Sequence, residues 1–314
     1  MSESKRTDQS GLPFHKGLLH PRYLVTWVGL GIMALVSLLP ASIRHKLGGA
    51  IGDYLFRNHK KRRSVVEANL KQVFPDITID ALAEKVQSHL QWYGRGLIDY
   101  SVFFFGRKKH FSKKVTIVGE SLLQKAKQAK QPVVLLLAHS VMLEFAAVAL
   151  SVGNYSCFGS YKTSKNPVVD WMIARSRCRF VDFVVSREQG LRPLIRGIQS
   201  GHIMVFLPDE DLGLDNSVFA PLFGREKATL TTPARLVKMG KAKAVVGFVA
   251  FDKKSGQYQL RLSELPESYP EADVTLNAAT MNEALEQLIL QSPEQYMWTM
   301  KWFKTVGPEE ASFY

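Results

Sequence analysis

The sequence predicts an α/β fold, with a mixed, mostly parallel central sheet flanked by helices and an N-terminal hydrophobic membrane-anchor helix ahead of it. Three observations carry that expectation. Beyond about residue 105, short apolar runs rich in Val, Ile and Phe alternate with helical stretches, the texture of strand and crossover units. The first four of those runs end in polar residues, as strands do when a site lies at their carboxyl ends. Residues 23–43 carry no charge at all.

Taken in order, residues 1–20 read as a polar tail. Residues 21–45 form the anchor segment, with Leu24, Val25, Val28, Leu30, Ile32, Leu35 and Leu39 in a run long enough to cross a bilayer. Gly29, Gly31 and Pro40 weaken a soluble helix but are tolerated in lipid, and Tyr23 and Trp27 lie where interfacial aromatics are common. The run is longer than the roughly 7–15 residues of a signal-peptide core. More basic residues follow it than precede it, including Lys60, Lys61, Arg62 and Arg63, which places the remaining domain, residues 46–314, on the cytoplasmic face of a membrane.

Within that domain, Leu82, Val86, Leu90, Tyr93 and Leu97 recur at spacings of three and four, predicting a helix over residues 79–105. Strands are expected at 133–138, 156–161, 183–186, 203–207 and 244–251, and crossover helices at 166–179 and 190–200.

Composition narrows the function classes. The 314 residues are 46% hydrophobic and 22% charged, ordinary values for a chain with a sizeable core. Lys and Arg total 41 against 28 acidic residues, a net charge of +13, so the surface should attract anionic lipid, an acidic carrier protein or nucleic acid. Nucleic acid is disfavoured, because aromatic and basic residues are not interleaved as a stacking platform requires. Cys157 and Cys178 have no CxxC spacing and suit a reducing, cytosol-facing location. The eight histidines lack paired ligand spacing, so no metal site is expected.

The residues that carry chemistry begin at the end of the first run. His139 follows the apolar stretch 133–138, and Glu144 stands five residues on. If His139 remains in the loop and Glu144 begins the next helix, the carboxylate can accept from the ring N–H and leave the other nitrogen free to remove a hydroxyl proton. Arg187 follows the third run, and Asp209, Glu210 and Asp211 follow the fourth.

His139-x4-Glu144 resembles the HX4(D/E) block of glycerolipid acyltransferases, and Arg187 with Leu191 resembles their phosphate-contacting second block. Tyr161-Lys162 with Asn166-Pro167 and Asp170-Trp171, Pro208-Asp209-Glu210-Asp211-Leu212-Gly213, Ser217-Val218-Phe219, Lys227-Ala228-Thr229, and Glu294-Gln295-Tyr296-Met297-Trp298 are similar to the late acyltransferases of bacterial lipid A biosynthesis. The resemblance implies an inner-membrane enzyme with no cofactor. It would move an acyl group from acyl carrier protein to the hydroxyl of a 3-hydroxyacyl chain on a Kdo-lipid A precursor, a phosphorylated glycolipid. His139 would be the general base and Glu144 its partner. Arg187, with Lys162, Arg175 and Arg177, would bind phosphates or acidic sugars, and Asp209 and Asp211 would orient those arginines or end the strand. The 208–213 turn looks closer to the last-acting members, often myristoyltransferases. Tyr296, Met297, Trp298, Trp302 and Phe303 read as core or membrane-contact packing. Two alternatives stand beside this reading: a lysophospholipid or glycerol-phosphate acyltransferase, and a noncatalytic lipid-binding protein.

Overall fold

The computed structural model describes residues 12–307 and 311–314, so residues 1–11 of the expected tail lie outside the described residues. The rest of that tail is tied down. Lys16–Leu19 forms a 3-10 turn, and its Leu18 is buried in a small cluster with Val168 and Met172.

Four helices come first: α1 (Leu24–Ser37), α2 (Ala41–Asn58), α3 (Lys60–Val73) and α4 (Ile79–Phe105). The span of α4 is the one its apolar spacing predicted. Thr78 caps it by accepting from the Ala81 N–H at 3.3 Å, Asp80 favours the positive end of the dipole, and Gly106 follows the last turn. Helices α2 and α4 meet across Gly48, Gly52 and Gly94: a Cβ on Gly94 would collide with the Gly48 carbonyl, and one on Gly52 with the backbone of Gln91.

The membrane-anchor helix expected over residues 21–45 is not formed. Pro40 has no N–H with which to continue a helix and becomes the N-cap of α2, so the apolar run is divided. What remains, α1, has 14 residues. That is a rise of about 21 Å against the ~30 Å of a hydrocarbon core. No helix among the described residues is long and apolar enough to cross a membrane. One face of α1 packs on the protein instead: Leu30 is buried, Trp27 and Met33 join the cluster of Val168 and Met172, and Trp27 Nε1 donates to the Leu18 carbonyl at 2.8 Å.

The sheet region then alternates strand and helix: β1 (Val115–Val118), α5 (Ser121–Gln128), β2 (Val133–Leu137), α6 (Phe145–Val152), β3 (Cys157–Tyr161), α7 (Pro167–Arg177), β4 (Phe183–Ser186), α8 (Leu191–Gln199) and β5 (Ile203–Phe206). A hairpin of β6 (Ser217–Leu222) and β7 (Arg225–Leu230) follows, then α9 (Thr232–Gly240), β8 (Lys243–Asp252), β9 (Gln257–Glu264) and α10 (Val274–Ile289). All five expected runs are strands, and both expected crossovers are helices. Seven strands make one sheet in the order β1-β9-β8-β2-β5-β3-β4, parallel at every step except β8 to β9. The mixed, mostly parallel sheet with flanking helices is therefore as the sequence predicted.

Strand β2 is buried on both faces, as the middle of such a sheet must be. Val134 and Leu136 enter one core with Leu194 of α8, Leu236 of α9 and Leu285 of α10. Val133, Leu135 and Leu137 enter the opposite core with Phe145, Ala146 and Ala149 of α6. From β2 the chain moves to β3 and β4 on one side and returns to β5, next to β2; from β5 it goes on to β8, on the other side of β2. The strand order thus reverses between β2 and β5. The crevice beyond the carboxyl ends of two such strands is where open α/β sheets bind ligands.

Candidate active site

His139 follows β2 and Asp209 follows β5, so the two loops that flank the crevice each supply one member of a hydrogen-bonded pair. Asp209 is 1% exposed, and its carboxylate takes three hydrogen bonds. The His139 backbone N–H donates to Oδ2 at 2.8 Å, the ring Nδ1 lies 2.6 Å from Oδ1, and the Tyr296 hydroxyl donates to Oδ2 at 3.0 Å. A carboxylate facing Nδ1 keeps the ring proton there and leaves Nε2 with its lone pair, the tautomer a general base needs. Burial alone would depress the imidazole pKa, but the charge and hydrogen bond of Asp209 outweigh it and hold the group above its ordinary value. Asp209 also resists its own burial penalty: the His139 contacts keep its carboxyl below the usual range.

The His139 backbone is fixed by the chain segment that follows α10. Met297 N–H donates to the His139 carbonyl at 3.2 Å, and Val141 N–H to the Gln295 carbonyl at 3.0 Å. The Gln295 amide in turn pairs with both backbone groups of Phe251 in β8, at 2.7 and 2.9 Å. Ser140 Oγ ties the same turn to the sheet by donating to the Val249 carbonyl at 2.5 Å. The Trp302 ring lies 5.8 Å from the imidazole, centroid to centroid.

Glu144 does not steer the ring as expected. The chain makes a turn over residues 141–144 before α6 begins, and the carboxylate is directed to α7, where Arg177 Nε lies 3.1 Å from both oxygens and Nη2 2.5 Å from Oε1. Glu144 is 7% exposed, and its charge raises the Arg177 pKa despite the burial of the guanidinium. Arg177, expected to bind the acceptor, is thus occupied within the protein.

The remaining expected residues divide. Arg187 stands at the end of β4 in reach of Glu210, at 3.5 Å, with 39% of its side chain exposed. Lys162 is exposed at the end of β3, on the same rim. Arg175 is exposed and lies over the Trp171 ring, 5.5 Å from its centroid, on the outer side of α7. Asp211 is buried and clamps the C-terminal segment, accepting from the Thr305 N–H at 2.8 Å and its hydroxyl at 2.7 Å. Two further residues belong to the site, Tyr296, expected as core or membrane-contact packing, and Lys227. Tyr296 is buried as core packing should be, yet a buried phenol must find a partner for its hydroxyl, and it finds Asp209. Lys227 is fully buried beside the acidic turn, and burial pushes its pKa down to about 8 against the pull of Asp209, Asp211 and Glu210.

Two largely apolar cavities open along this rim, one lined by Leu137, Leu143 and Ala147 beside Glu144 and Arg177, the other by Leu191, Leu194 and Leu212 beside Arg187. An imidazole paired with a buried carboxylate at the switch point of an α/β sheet, on a rim that also carries two largely apolar cavities, is the arrangement of an enzyme site that takes an apolar substrate. The chain belongs to the bacterial lipid A biosynthesis acyltransferases, whose family model matches residues 12–305. It is 31% identical to the lipid A biosynthesis lauroyltransferase of Escherichia coli (strain K12), over 93% of this chain and 95% of that one. It is 29% identical to the palmitoleoyltransferase of the same strain, over 96% and 98%, and 26% identical to its myristoyltransferase, over 99% and 97%. The protein is therefore a lipid A acyltransferase, which sets aside the glycerophospholipid and noncatalytic alternatives. Identities that range only from 26% to 31% do not single out a chain length, and the likeness of the 208–213 turn to myristoyltransferases gains no support from them.

Proposed function

We propose that the chain transfers a fatty acyl group from an acyl carrier protein thioester to the hydroxyl of a 3-hydroxyacyl chain on a Kdo-lipid A precursor, with His139 as general base and Asp209 as its partner. The observation that carries this reading is the pair of hydrogen bonds from His139 to Asp209, which leaves Nε2 as the proton acceptor. Nε2 takes the proton as the acceptor oxygen attacks the thioester carbonyl. The tetrahedral intermediate expels the carrier thiolate, and the imidazolium returns the proton to sulfur. Asp209 stabilises the imidazolium between these steps, the role first expected of Glu144. General base catalysis of this kind is worth roughly 10²–10⁴-fold, so positioning of the two substrates must supply much of the rest.

Arg187, held only by a long ion pair to Glu210, and Lys162, exposed at the end of β3, are placed to meet the acceptor's phosphates, a guanidinium being suited to bidentate contact with them. Work at a membrane surface follows from the acceptor being a membrane lipid. Leu24, Val25, Val28, Ile32 and Leu35 form one exposed stripe on α1 that would meet the lipid interface in its plane rather than cross it.

The test is mass spectrometry of the lipid product after incubating purified protein with acyl carrier protein thioesters and the Kdo-lipid A precursor. The parent should add one acyl mass, and His139→Ala and Asp209→Asn should lose nearly all turnover while folding normally. Activity of His139→Ala within about tenfold of the parent would overturn the assignment of the base.

A further inference from the structure

The surface of α8 and α9 carries a cluster of cations that the fold itself does not use. Arg192 and Arg196 of α8, Arg235 and Lys238 of α9, and Lys241 at the C-cap of α9 are all exposed. Among the described residues none of the five enters an ion pair, and residues 191–200 and 232–241 contain no acid. The two helices make one surface: Gln199 Nε2 donates to the Met239 carbonyl at 3.2 Å, and a Cβ on Gly240 would press on Ile198, so the helices lie close. Arg192 and Arg196 are four residues apart and Arg235 and Lys238 three, spacings at which like charges on a helix repel. A cluster that lowers the stability of its own helices is suited to a partner that brings the opposite charge.

Its position relative to the site and to the membrane narrows the partner. Gly190 and Leu191, at the start of α8, and Thr232, at the start of α9, line the Arg187 cavity together with Leu207 of the loop that leads to Asp209. The basic surface therefore begins at the carboxyl rim of the sheet. Leu194 of α8 and Leu236 of α9 pack on one face of that sheet, and α6 covers the other. The Arg177–Glu144 pair ties α7 to the α6 side, and α1 packs on α7 through Leu30, Val168 and Met172. The apolar stripe of α1 thus stands across the sheet from the basic surface, and a bilayer that meets the one does not cover the other.

Three polyanions are open to a protein of net charge +13: anionic lipid, nucleic acid and an acidic protein. Lipid is met by the α1 stripe on the far side, and α8 and α9 have no aromatic residue on which a base could stack. An acidic protein remains, and Met239, 50% exposed, offers it an adaptable apolar contact among the charges. We propose that the α8–α9 surface is the docking site of the acyl carrier protein, whose acidic surface it meets while the thioester arm enters at the rim between the starts of the two helices. The inference rests on the carrier-thioester reading above and deepens it by giving the donor protein a place on the chain.

Charge reversal in the full chain is the test. Arg192→Glu with Arg196→Glu, and separately Arg235→Glu with Lys238→Glu, should each raise the KM for the acyl carrier thioester by about tenfold and flatten its salt dependence. With the same acyl group on free pantetheine as donor, both variants should match the parent within about twofold, since that donor has no protein to dock. Lys60→Glu with Lys61→Glu on α3, a control of equal charge, should leave the carrier KM within about twofold of the parent. Location is read without turnover by coupling carrier carboxylates to lysine amines with a carbodiimide and mapping the joined peptides by mass spectrometry. Joins at Lys238 or Lys241 support the proposal, and joins confined to Lys60, Lys61, Lys108 or Lys109 overturn it. A carrier KM unchanged in the α8 and α9 variants, or raised equally by the α3 control, would also overturn it. So would variants that lose binding to vesicles of anionic lipid while their carrier KM holds. A parent that uses acyl-pantetheine as readily as the carrier thioester would instead refute the carrier as donor, and the docking site with it.

Discussion

Tyr296 donates its phenolic proton to Asp209 at 3.0 Å across 87 residues of sequence, and by doing so shares one carboxylate oxygen with the backbone N–H of His139. The phenol is fully buried and its ring stacks on Trp302 at 4.8 Å, so its position is set by the core and not by the site. Tyr296→Phe keeps that stacking and removes one hydrogen bond to a buried charge, an interaction worth about 1.5–3 kcal/mol. Chemical denaturation should show a loss of that order, and kcat/KM should fall by roughly tenfold while the acceptor KM holds. A variant as active as the parent would mean that Asp209 needs only the histidine to keep its orientation.

The pH dependence of kcat/KM should report the same pair. Asp209 holds the His139 pKa above its ordinary value against the opposing effect of burial, so the active, neutral base accumulates only as pH rises through that elevated value. The acid limb of the profile should therefore lie above about 6.5, the unperturbed histidine value. In Asp209→Asn the burial effect is opposed only by the lesser charge of Glu210, and the limb should move down while the plateau rate drops. The sign for stability follows. The part contributed by the imidazolium is present below about 6.5 and lost as pH rises through the folded value; the part contributed by the Asp209 carboxylate is present above about 3.9 and lost as pH falls through its lowered value. An acid limb that stays in place in Asp209→Asn would show that another group sets it.

Much of this was legible in the sequence, and the exceptions have physical causes. His139 was found because a polar residue after a buried strand stands out locally. Its partner was not, because the hydrogen bond to Asp209 spans 70 residues and exists only through the adjacency of β2 and β5, which no local pattern encodes. Glu144 was preferred for its nearness in sequence, and the turn over residues 141–144 sends it to Arg177 instead. Among strands, β9 alternates buried Tyr258, Leu260 and Leu262 with polar residues, a period-2 signal that forms no continuous apolar run. The β6–β7 hairpin turns at Phe223 and Gly224, both with positive φ, and Gly224 was its local sign. The apolar segment was misjudged because hydropathy alone does not register that Pro40 cuts its helix short.

Glu144→Gln distinguishes the two carboxylates. It removes the charge that Arg177 meets in a largely buried pair, and because 28% of the Arg177 side chain still reaches solvent, the cost should be about 1–3 kcal/mol, below that of a fully buried pair. The melting temperature should drop, but the acid limb of kcat/KM should keep its place, since Asp209 still steers the ring. A shift of that limb as large as the one in Asp209→Asn would assign the steering to Glu144 after all.

His89 gives a test of the scaffold behind the site. It is fully buried in α4, its Nδ1 lies 3.0 Å from the Glu294 carbonyl, and burial pushes its pKa down to about 4 although that hydrogen bond acts in the opposite direction. The folded protein therefore keeps the ring neutral at pH values where the unfolded chain would protonate it, below about 6.5. Stability from this group is complete above that pH and declines as pH falls toward about 4, by an amount on the order of 3 kcal/mol. Glu294 directly precedes Gln295 and Tyr296, which hold the His139 loop and Asp209, so protonation of His89 would strain the segment that positions the base. In His89→Gln the amide can still donate to the Glu294 carbonyl but carries no titrating group. Its denaturation free energy should fall less steeply than that of the parent between about pH 6.5 and 4, with every other titrating group contributing equally to both slopes. Parallel slopes would mean that the ring is already protonated, or solvated, within the fold.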